Sequence, residues 1–404
     1  MQEKAKEPEI RFAGFTGAWE QRKIGDYLTL SKIPGYTGVD AKKLTVKLWG
    51  KGVVEKTDIY GGSQNTQYYV RRAGQFMYGK LDFLHAAFGI VPKSLDRFES
   101  TLDSPAFDLH EIDGAFLQNR VTQQNFYLKF GNIANGSRKA KRIHEVTFLD
   151  MPIVVSSYAE QKKIGAFLNK LDSLLTLHQR KYEKLLNIKK SMLEKMFPKE
   201  GEVVPEIRFK GFTGAWEQRK LSDGMTEYTD RVFIEDDQIY KQVTVKNTGE
   251  ISLRGSQPGR NIGRKRQARV NLRDYPMTLI FTRQTVEQGG IGFAKNDVDG
   301  CIVTENMPTI AVDGKKFNQD FLVAFFKTYG FRKDVILSNI EGGTAQIAIH
   351  EDDILDSSST FPSLKEQIKI GNFFRTLSQQ ITLHQRKLEM LKNVKQAFLE
   401  KMFV

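Results

Sequence analysis

The sequence predicts an α+β protein: two small α+β domains separated by two long helices packed as an antiparallel coiled coil, with an internal pseudo-two-fold repeat. Three observations in the 404 residues lead to this prediction. A short block occurs twice almost unchanged, a longer block with helical periodicity also occurs twice, and a variable stretch lies before each long block. The order is therefore short block, variable region and long block, followed by the same three again.

The short block opens each half of the chain. The stretch FTGAWEQRK recurs letter for letter 197 residues further on, and residues 8–24 match residues 205–221 at 15 of 17 positions. Each copy contains one tryptophan, Trp19 or Trp216. We interpret these tryptophans as anchors for packing or for a partner subunit, and stacking on nucleic-acid bases is the alternative.

The variable regions, roughly 25–155 and 222–360, are rich in glycine and aromatic residues. They contain short runs such as QYYVRRAGQFMYG and MTLIFTR. Short apolar and alternating runs bounded by glycine are typical of strands, so we expect a small α+β domain in each region. The second region also carries a dense basic stretch, GRNIGRKRQARVNLR at 259–273, which its glycines predict to be a loop.

The long block is predicted to be a helix in both copies. Residues 160–197 match residues 366–403 at 22 of 38 positions, neither copy contains proline, and apolar residues recur at steps of three and four. A helix of this length spans about 55 Å. Because each apolar stripe needs a partner, we expect the two copies to pair antiparallel as a spacer. The stripe positions are Ile164, Leu168, Leu171, Leu175, Tyr182, Leu185, Met192 and Met196, and in the second copy Ile370, Phe374, Leu377, Ile381, Leu388, Leu391, Phe398 and Met402.

These elements divide the chain into four parts. We assign residues 1–157 to the first α+β domain, 158–198 to the first long helix, 199–363 to a linker and the second α+β domain, and 364–404 to the second long helix. The linker PKEGEVVPEIRF resembles the opening EKAKEPEIRF, so the chain reads like a circle opened in one linker. We therefore expect the two termini to lie near each other.

Charge and cysteine content narrow the class of protein. The formal net charge is +13, which is more often found with a polyanionic partner than without one. The single cysteine, Cys301, fits a reducing compartment, and no apolar run approaches the roughly 18 residues that cross a bilayer. We expect a cytoplasmic protein that binds nucleic acid and has no membrane partner.

Motifs for catalysis are weak. GQFMYGKL at 74–81 is one residue short of a phosphate-binding loop, because Leu81 stands where a Ser or Thr would bind Mg²⁺. The six histidines are scattered, and with one cysteine they form no zinc-binding pattern. We therefore expect no cofactor, no metal and no catalytic residue in this chain.

The alternation of two variable regions with two repeated blocks resembles the specificity subunit of type I restriction–modification systems. The pieces that carry the resemblance are FTGAWEQRK in each half, EQKKI and EQIKI at the start of the long blocks, and GGTAQIAIHEDDI with the FPSLKEQ that follows it. The first half departs from the pattern with NGSRKAKRIHEVTFLDMPIVVSSYAEQ. The resemblance covers essentially the whole chain.

This resemblance implies a sequence-specific DNA-binding subunit without catalysis of its own. Its two target recognition domains would each read one half of a split sequence in double-stranded DNA. The repeated helices would set the spacing and dock two modification (methyltransferase) subunits, and restriction (endonuclease/translocase) subunits would join them. Adenine methylation and DNA cleavage would then belong to the partner chains.

We expect the DNA contacts to come from glycine-flanked stretches of the variable regions, because arginine and glutamine carry paired donors that match base edges and phosphates. The candidate residues are Gln64, Asn65, Gln67, Tyr68, Arg71, Arg72 and Lys80 in the first region, and Arg260, Arg264, Lys265, Arg266, Arg269, Arg283 and Gln284 in the second.

Two alternative functions stay open at this point. One is a self-contained enzyme that acts on DNA, and the other is a coiled-coil scaffold whose positive charge is incidental. Activity of the pure chain would indicate the enzyme, and absence of duplex binding would indicate the scaffold.

Overall fold

The computed structural model describes residues 7–38, 40–57, 64–132, 142–263, 266–339 and 348–404, with Arg266 described for its backbone only. The chain divides into two compact units. Unit 1 consists of Met1–Gln179 together with Arg386–Val404, and unit 2 of Arg180–Gln385.

The described residues of unit 1 form short strands, three short α-helices and part of each long helix. Its strands are β1 (Glu20–Lys23), β2 (Leu28–Ser31), β3 (Ile33–Thr37), β4 (Leu44–Val46), β5 (Val53–Glu55), β6 (Gln67–Val70), β7 (Phe76–Tyr78), β8 (Phe88–Ile90), β9 (Glu99–Ser100), β10 (Ala106–Leu109) and β11 (Pro152–Val155). Its helices are α1 (Gly114–Val121), α2 (Gln124–Gly131), α3 (Glu145–Leu149) and the first part of α4 (Tyr158–Lys195). The sheets have the orders β2-β10-β7-β8, β3-β6-β9, β1-β11 and β4-β5.

Unit 2 is built in the same way after the linker. Its strands are β12 (Glu217–Lys220), β13 (Met225–Tyr228), β14 (Asp230–Phe233), β15 (Ile239–Val245), β16 (Ile251–Pro258), β17 (Arg266–Arg269), β18 (Thr278–Phe281), β19 (Ile291–Phe293), β20 (Ile302–Val303), β21 (Thr309–Val312) and β22 (Ser358–Phe361). Its helices are α5 (Gln319–Phe325), α6 (Tyr329–Phe331), α7 (Glu351–Asp356) and the first part of α8 (Leu364–Lys401). The sheets have the orders β13-β21-β18-β19, β14-β17-β20-β15-β16 and β12-β22.

The strand orders show that the two units share one plan. The sheet β2-β10-β7-β8 corresponds to β13-β21-β18-β19, and the pair β1-β11 corresponds to β12-β22. The predicted α+β class, with two long helices and an internal repeat, is confirmed. The basic stretch 259–273 is not one loop, however, because Arg266–Arg269 pairs with β14 and β20 as strand β17.

Both predicted helices are present, and each runs for 38 residues. In unit 1 the rings of Phe167 and Phe398 lie 4.8 Å apart, and Lys395 Nζ lies 2.5 Å from Asp172 Oδ1. From the first contact to the second, the residue number rises along α4, from 167 to 172, and falls along α8, from 398 to 395. The two helices therefore run antiparallel within this unit. Pairing along their whole length as one coiled coil stays a prediction.

The repeated Glu-Gln pair at the start of each long block is buried and joins three elements. Arg11 of the first short block makes a two-pronged ion pair with Glu160, with Nε–Oε1 and Nη2–Oε2 distances of 2.7 and 2.9 Å. The corresponding distances between Arg208 and Glu366 are 2.6 and 2.7 Å. The following glutamine accepts a hydrogen bond from the N-cap backbone of a short helix, at Asp113 in unit 1. The short block, long helix and α+β domain are therefore joined in the same way in both units.

The short blocks also lie against the far ends of the long helices. In unit 1 the Ile10 amide donates to the Lys401 carbonyl at 3.0 Å, and in unit 2 the Ile207 amide donates to the Lys195 carbonyl at 2.8 Å. The first short block thus contacts the end of the second helix, whereas the expected proximity of the two termini involves residues 1–6, which lie outside the described residues. The repeated tryptophans are buried in these two cores, which supports the packing interpretation.

Candidate nucleic-acid interface

Four of the predicted residues of unit 1 lie together at the start of strand β6. Gln64 and Asn65 are exposed in the turn before the strand, Gln67 is exposed at its first position, and Tyr68 is half-buried at its second. The Gln67 side-chain amide donates to the carbonyls of Gly35 and Tyr68, at 2.9 and 2.7 Å. A polar, amide-rich surface therefore forms where β6 meets β3.

Arg71 is buried in unit 1, and the structure corrects its predicted place on the surface. The residue is 0 % exposed, and its guanidinium donates to Ser100 Oγ and to the carbonyls of Ser31, Ser100, Thr101 and Ser104. Burial lowers the pKa of Arg71 to about 10. Since its donors are engaged by the protein itself, Arg71 holds strands together and does not face a ligand.

Lys80 needs the same correction. It is 7 % exposed, and its Nζ lies 2.8 Å from Glu145 Oε1 at the start of helix α3. Burial alone would raise the pKa of Glu145, but the hydrogen bond and charge of Lys80 contribute to a net lowering. Lys80 therefore fixes α3 to the sheet. Arg72, in contrast, is exposed and stays available.

The candidates of unit 2 differ in how tightly the protein holds them. Arg260 is exposed, with Nη1 3.5 Å from the exposed Asp237, whereas Arg269 Nε lies 2.8 Å from Asp230 Oδ2. Arg283 is half-buried and makes a two-pronged ion pair with Glu351 at the start of α7, so it serves to position that helix. Gln284 is exposed. Arg264 and Lys265 lie outside the described residues, as does the side chain of Arg266.

The two groups of candidates lie on corresponding strands of their units. Strand β6 pairs antiparallel with β3 so that Ile33 faces Val70, and β17 pairs antiparallel with β14 so that Asp230 faces Arg269. Each of these strands is also bonded to a two-residue strand on its other side, β9 or β20. The fold thus places the candidates around β6 and around β17 on corresponding strands, although the sequence indicated them only by their polar and basic side chains.

Sequence reasoning missed three exposed cations on the five-stranded sheet of unit 2. They are Arg231 on β14, Lys241 on β15 and Arg254 on β16. The burial pattern of β14 alternates, and Arg231 stands at one of its two exposed positions. The alternation of polar and apolar residues along these strands is the signal that could have indicated them, because the polar residues of a half-buried strand face solvent.

The side chains of this surface are suited to binding an anionic or polar ligand. Guanidinium, ammonium and amide groups donate hydrogen bonds to phosphates and to base edges. Within the described ranges, no group of three or more His, Cys, Asp or Glu side chains is arranged to hold a metal ion. In the same part of the chain, no helix has the length and apolar character of a membrane span.

Comparison with known proteins identifies the fold. A scan of protein-family models finds no match to this sequence, and a search of curated proteins finds no significant relative. Among solved structures, the chain is similar to a type I restriction–modification system S subunit from M. genitalium, with a TM-score of 0.59 and 13 % sequence identity. The match covers 98 % of this chain and 99 % of that one.

Two further structures match at lower TM-scores. The HsdS subunit from Thermoanaerobacter tengcongensis matches with a TM-score of 0.45 and 13 % identity, over 95 % of this chain and 96 % of that one. A chain from a structure concerned with complex assembly and conformational transition of the type I restriction–modification system matches at 0.41 and 14 %, over 95 % and 97 %.

The fold and its internal repeat define a class of protein with two similar domains and two long helices. More narrowly, the match to the M. genitalium protein over nearly the full length of both chains shows that this chain has the fold of a type I S subunit. The resemblance predicted from the sequence is confirmed at the level of the fold.

Proposed function

We propose that this chain is the sequence-specific DNA-binding subunit of a type I restriction–modification complex. The observation that carries the proposal is a pair of domains that share one plan but differ in sequence and are held in near-identical frames. Arg11–Glu160 and β1-β11 frame the first domain, and Arg208–Glu366 and β12-β22 frame the second. A protein that reads two different half-sites from equivalent positions requires this combination of constant frame and variable domain.

The proposed DNA surface follows strands β6 and β17 and their flanking turns. Exposed cations there would neutralise phosphates and fix the position of the duplex, while glutamine and arginine would read base edges. The proposed contacts are Gln64, Asn65, Gln67, Tyr68 and Arg72 in unit 1, and Arg260, Arg264, Lys265, Arg266, Arg269 and Gln284 in unit 2, with Arg231, Lys241 and Arg254 added.

Partners complete the proposed complex. Two modification subunits would dock on the two repeated blocks, whose short and long copies match at 15 of 17 and 22 of 38 positions, and restriction subunits would join them. Methyl transfer and cleavage would belong to those partners, so this chain would have no catalysis of its own. A cytoplasmic location is part of the same proposal, because the DNA substrate lies there.

The decisive experiment identifies the target and separates the alternatives. Methylated adenines are mapped by sequencing in cells that carry the chain with its modification subunits and in cells that lack only this chain. We expect methylation at one split sequence in the first cells and its loss in the second. Methyl transfer by the purified chain alone would indicate an enzyme, and no binding of the chain to labelled duplex would indicate a scaffold.

A matched pair of variants locates the surface. Arg260→Ala should weaken binding to the target duplex by roughly 1–3 kcal/mol if the residue reads a base, with relaxed preference at one position. Lys315→Ala removes an exposed cation from the turn after β21 and should leave binding unchanged. Equal effects of the two variants, measured by fluorescence anisotropy at several salt concentrations, would argue against the proposed surface.

A further inference from the structure

The two long helices repeat a lysine contact, but the partner of the lysine differs between the units. In unit 1 the Lys395 Nζ of α8 lies 2.5 Å from the Asp172 Oδ1 of α4. In unit 2 the Lys189 Nζ of α4 donates to the Ser378 Oγ of α8 at 2.9 Å. In the alignment of the two long blocks, Lys189 corresponds to Lys395 and Ser378 to Asp172. Unit 2 therefore has a neutral hydroxyl group where unit 1 has a carboxylate.

A second lysine acts on this contact in unit 2. Asn318 and Asp113 are the N-caps of α5 and α1, and each accepts a hydrogen bond from the amide three residues later. Nine residues after these caps stand Lys327 in unit 2 and Thr122 in unit 1. Burial and the charge of Lys327 both lower the pKa of Lys189. Two cations thus lie near each other in unit 2, whereas the same place in unit 1 holds one cation and one carboxylate.

The two cations of unit 2 have no counter-charge in the part of the chain that the structure describes. Within the described residues, neither Lys189 nor Lys327 forms an ion pair with a carboxylate. Lys189 and Ser378 are half-buried and Lys327 is exposed, so the place is partly dehydrated and open to solvent on one side. Two like charges repel each other more strongly where water is partly excluded. A bound anion would remove this repulsion.

We propose that Lys189, Lys327 and Ser378 form a binding site for one small oxyanion of the phosphate class. An ammonium group donates up to three hydrogen bonds and accepts none, and the Ser378 hydroxyl can donate while it accepts from Lys189. The oxyanion takes the place that the Asp172 carboxylate holds in unit 1 and receives charge-assisted hydrogen bonds from both lysines. It joins α4, α8 and the segment after α5, so its binding stabilises unit 2. The inference goes beyond the proposed function and does not depend on it, since it uses none of the proposed DNA contacts.

The test is thermal unfolding of the full-length chain near neutral pH, with inorganic phosphate replacing chloride at constant ionic strength. A ligand that binds only the folded chain raises the midpoint of unfolding, and the rise with concentration gives its affinity. We expect phosphate to raise the midpoint of the wild type. Lys327→Met removes one of the two charges and should weaken phosphate binding on the order of tenfold. Ser378→Asp supplies within the chain the carboxylate that unit 1 has, so it should raise the midpoint in chloride and reduce the response to phosphate.

Two control variants separate this site from the other cations of the chain. Lys181→Met removes an exposed lysine of the same helix and should keep the wild-type response to phosphate. Asp172→Ser copies the serine into unit 1, where Thr122 stands in place of the second lysine, and should add no response.

Three results would overturn the inference. The first is a wild-type midpoint that is the same in phosphate and in chloride. The second is a wild-type response to phosphate in Ser378→Asp or Lys327→Met. The third is an added response in Asp172→Ser, because one lysine between the helices would then suffice and Lys327 would have no part in the site.

Discussion

At the scale of single residues, two neighbouring arginines show what a sequence pattern leaves undecided. Arg71 and Arg72 are adjacent in QYYVRRAGQFMYG and have the same chemistry, yet Arg71 is buried and Arg72 is exposed. The alternation of a strand indicates which positions share a face. It does not show that Arg71 is buried and donates to carbonyls of β2, of β9 and of the loop after β9. Those carbonyls are separated from Arg71 by about thirty to forty residues.

The two arginines should therefore behave differently on substitution. Arg71→Met leaves buried carbonyls without donors and should destabilise the protein by about 3 kcal/mol, whereas Arg72→Ala should change stability by less than about 0.5 kcal/mol. Urea unfolding followed by circular dichroism measures both. A stable Arg71→Met protein would show that its hydrogen bonds contribute little net free energy.

At the scale of elements, the long helices could be predicted and the sheets could not. A helix follows from local periodicity and the absence of proline, and both copies provide these over 38 residues. Sheet order depends on pairing between distant strands such as β2 and β10, which no local pattern records. The Glu-Gln pair was recognisable only as a repeated motif, because its arginine partner lies about 150 residues away in sequence.

The buried ion pair predicts which carboxylate of α8 matters for stability. Glu366→Gln leaves Arg208 without its charged partner and should cost about 3 kcal/mol, since removing one member of a buried pair is costly. Glu389→Gln changes an exposed residue of the same helix and should have little effect. Thermal unfolding of the two variants beside the wild type provides the comparison, and equal transition temperatures for all three proteins would contradict the role of this pair.

At the scale of the whole molecule, the repeat accounts for most of what could be predicted. The repeated blocks in the sequence predict two equivalent frames, each with one variable domain. The candidate surface was predicted less well, because Arg71 and Lys80 are buried, Arg283 holds a helix, and the exposed Arg231 carried no signal beyond alternation. Composition indicates the partner, whereas the residues that face it depend on three-dimensional packing.

Each domain should therefore be exchangeable as one piece. The β12-β22 pair brings Lys220 opposite Ser358, and the Leu221 amide donates to the Ser357 carbonyl at 3.1 Å. The two ends of the segment 221–357 therefore lie side by side where the segment joins the repeated frame. Replacing them with the equivalent region of a related protein should change one half of the methylated sequence and preserve the other, as sequencing of methylated adenines would show. The reciprocal exchange of 24–151, which begins and ends where the Ile24 amide donates to the Met151 carbonyl at 3.0 Å, should change the opposite half. A folded hybrid that alters both half-sites, or neither, would mean that the two domains do not read DNA independently.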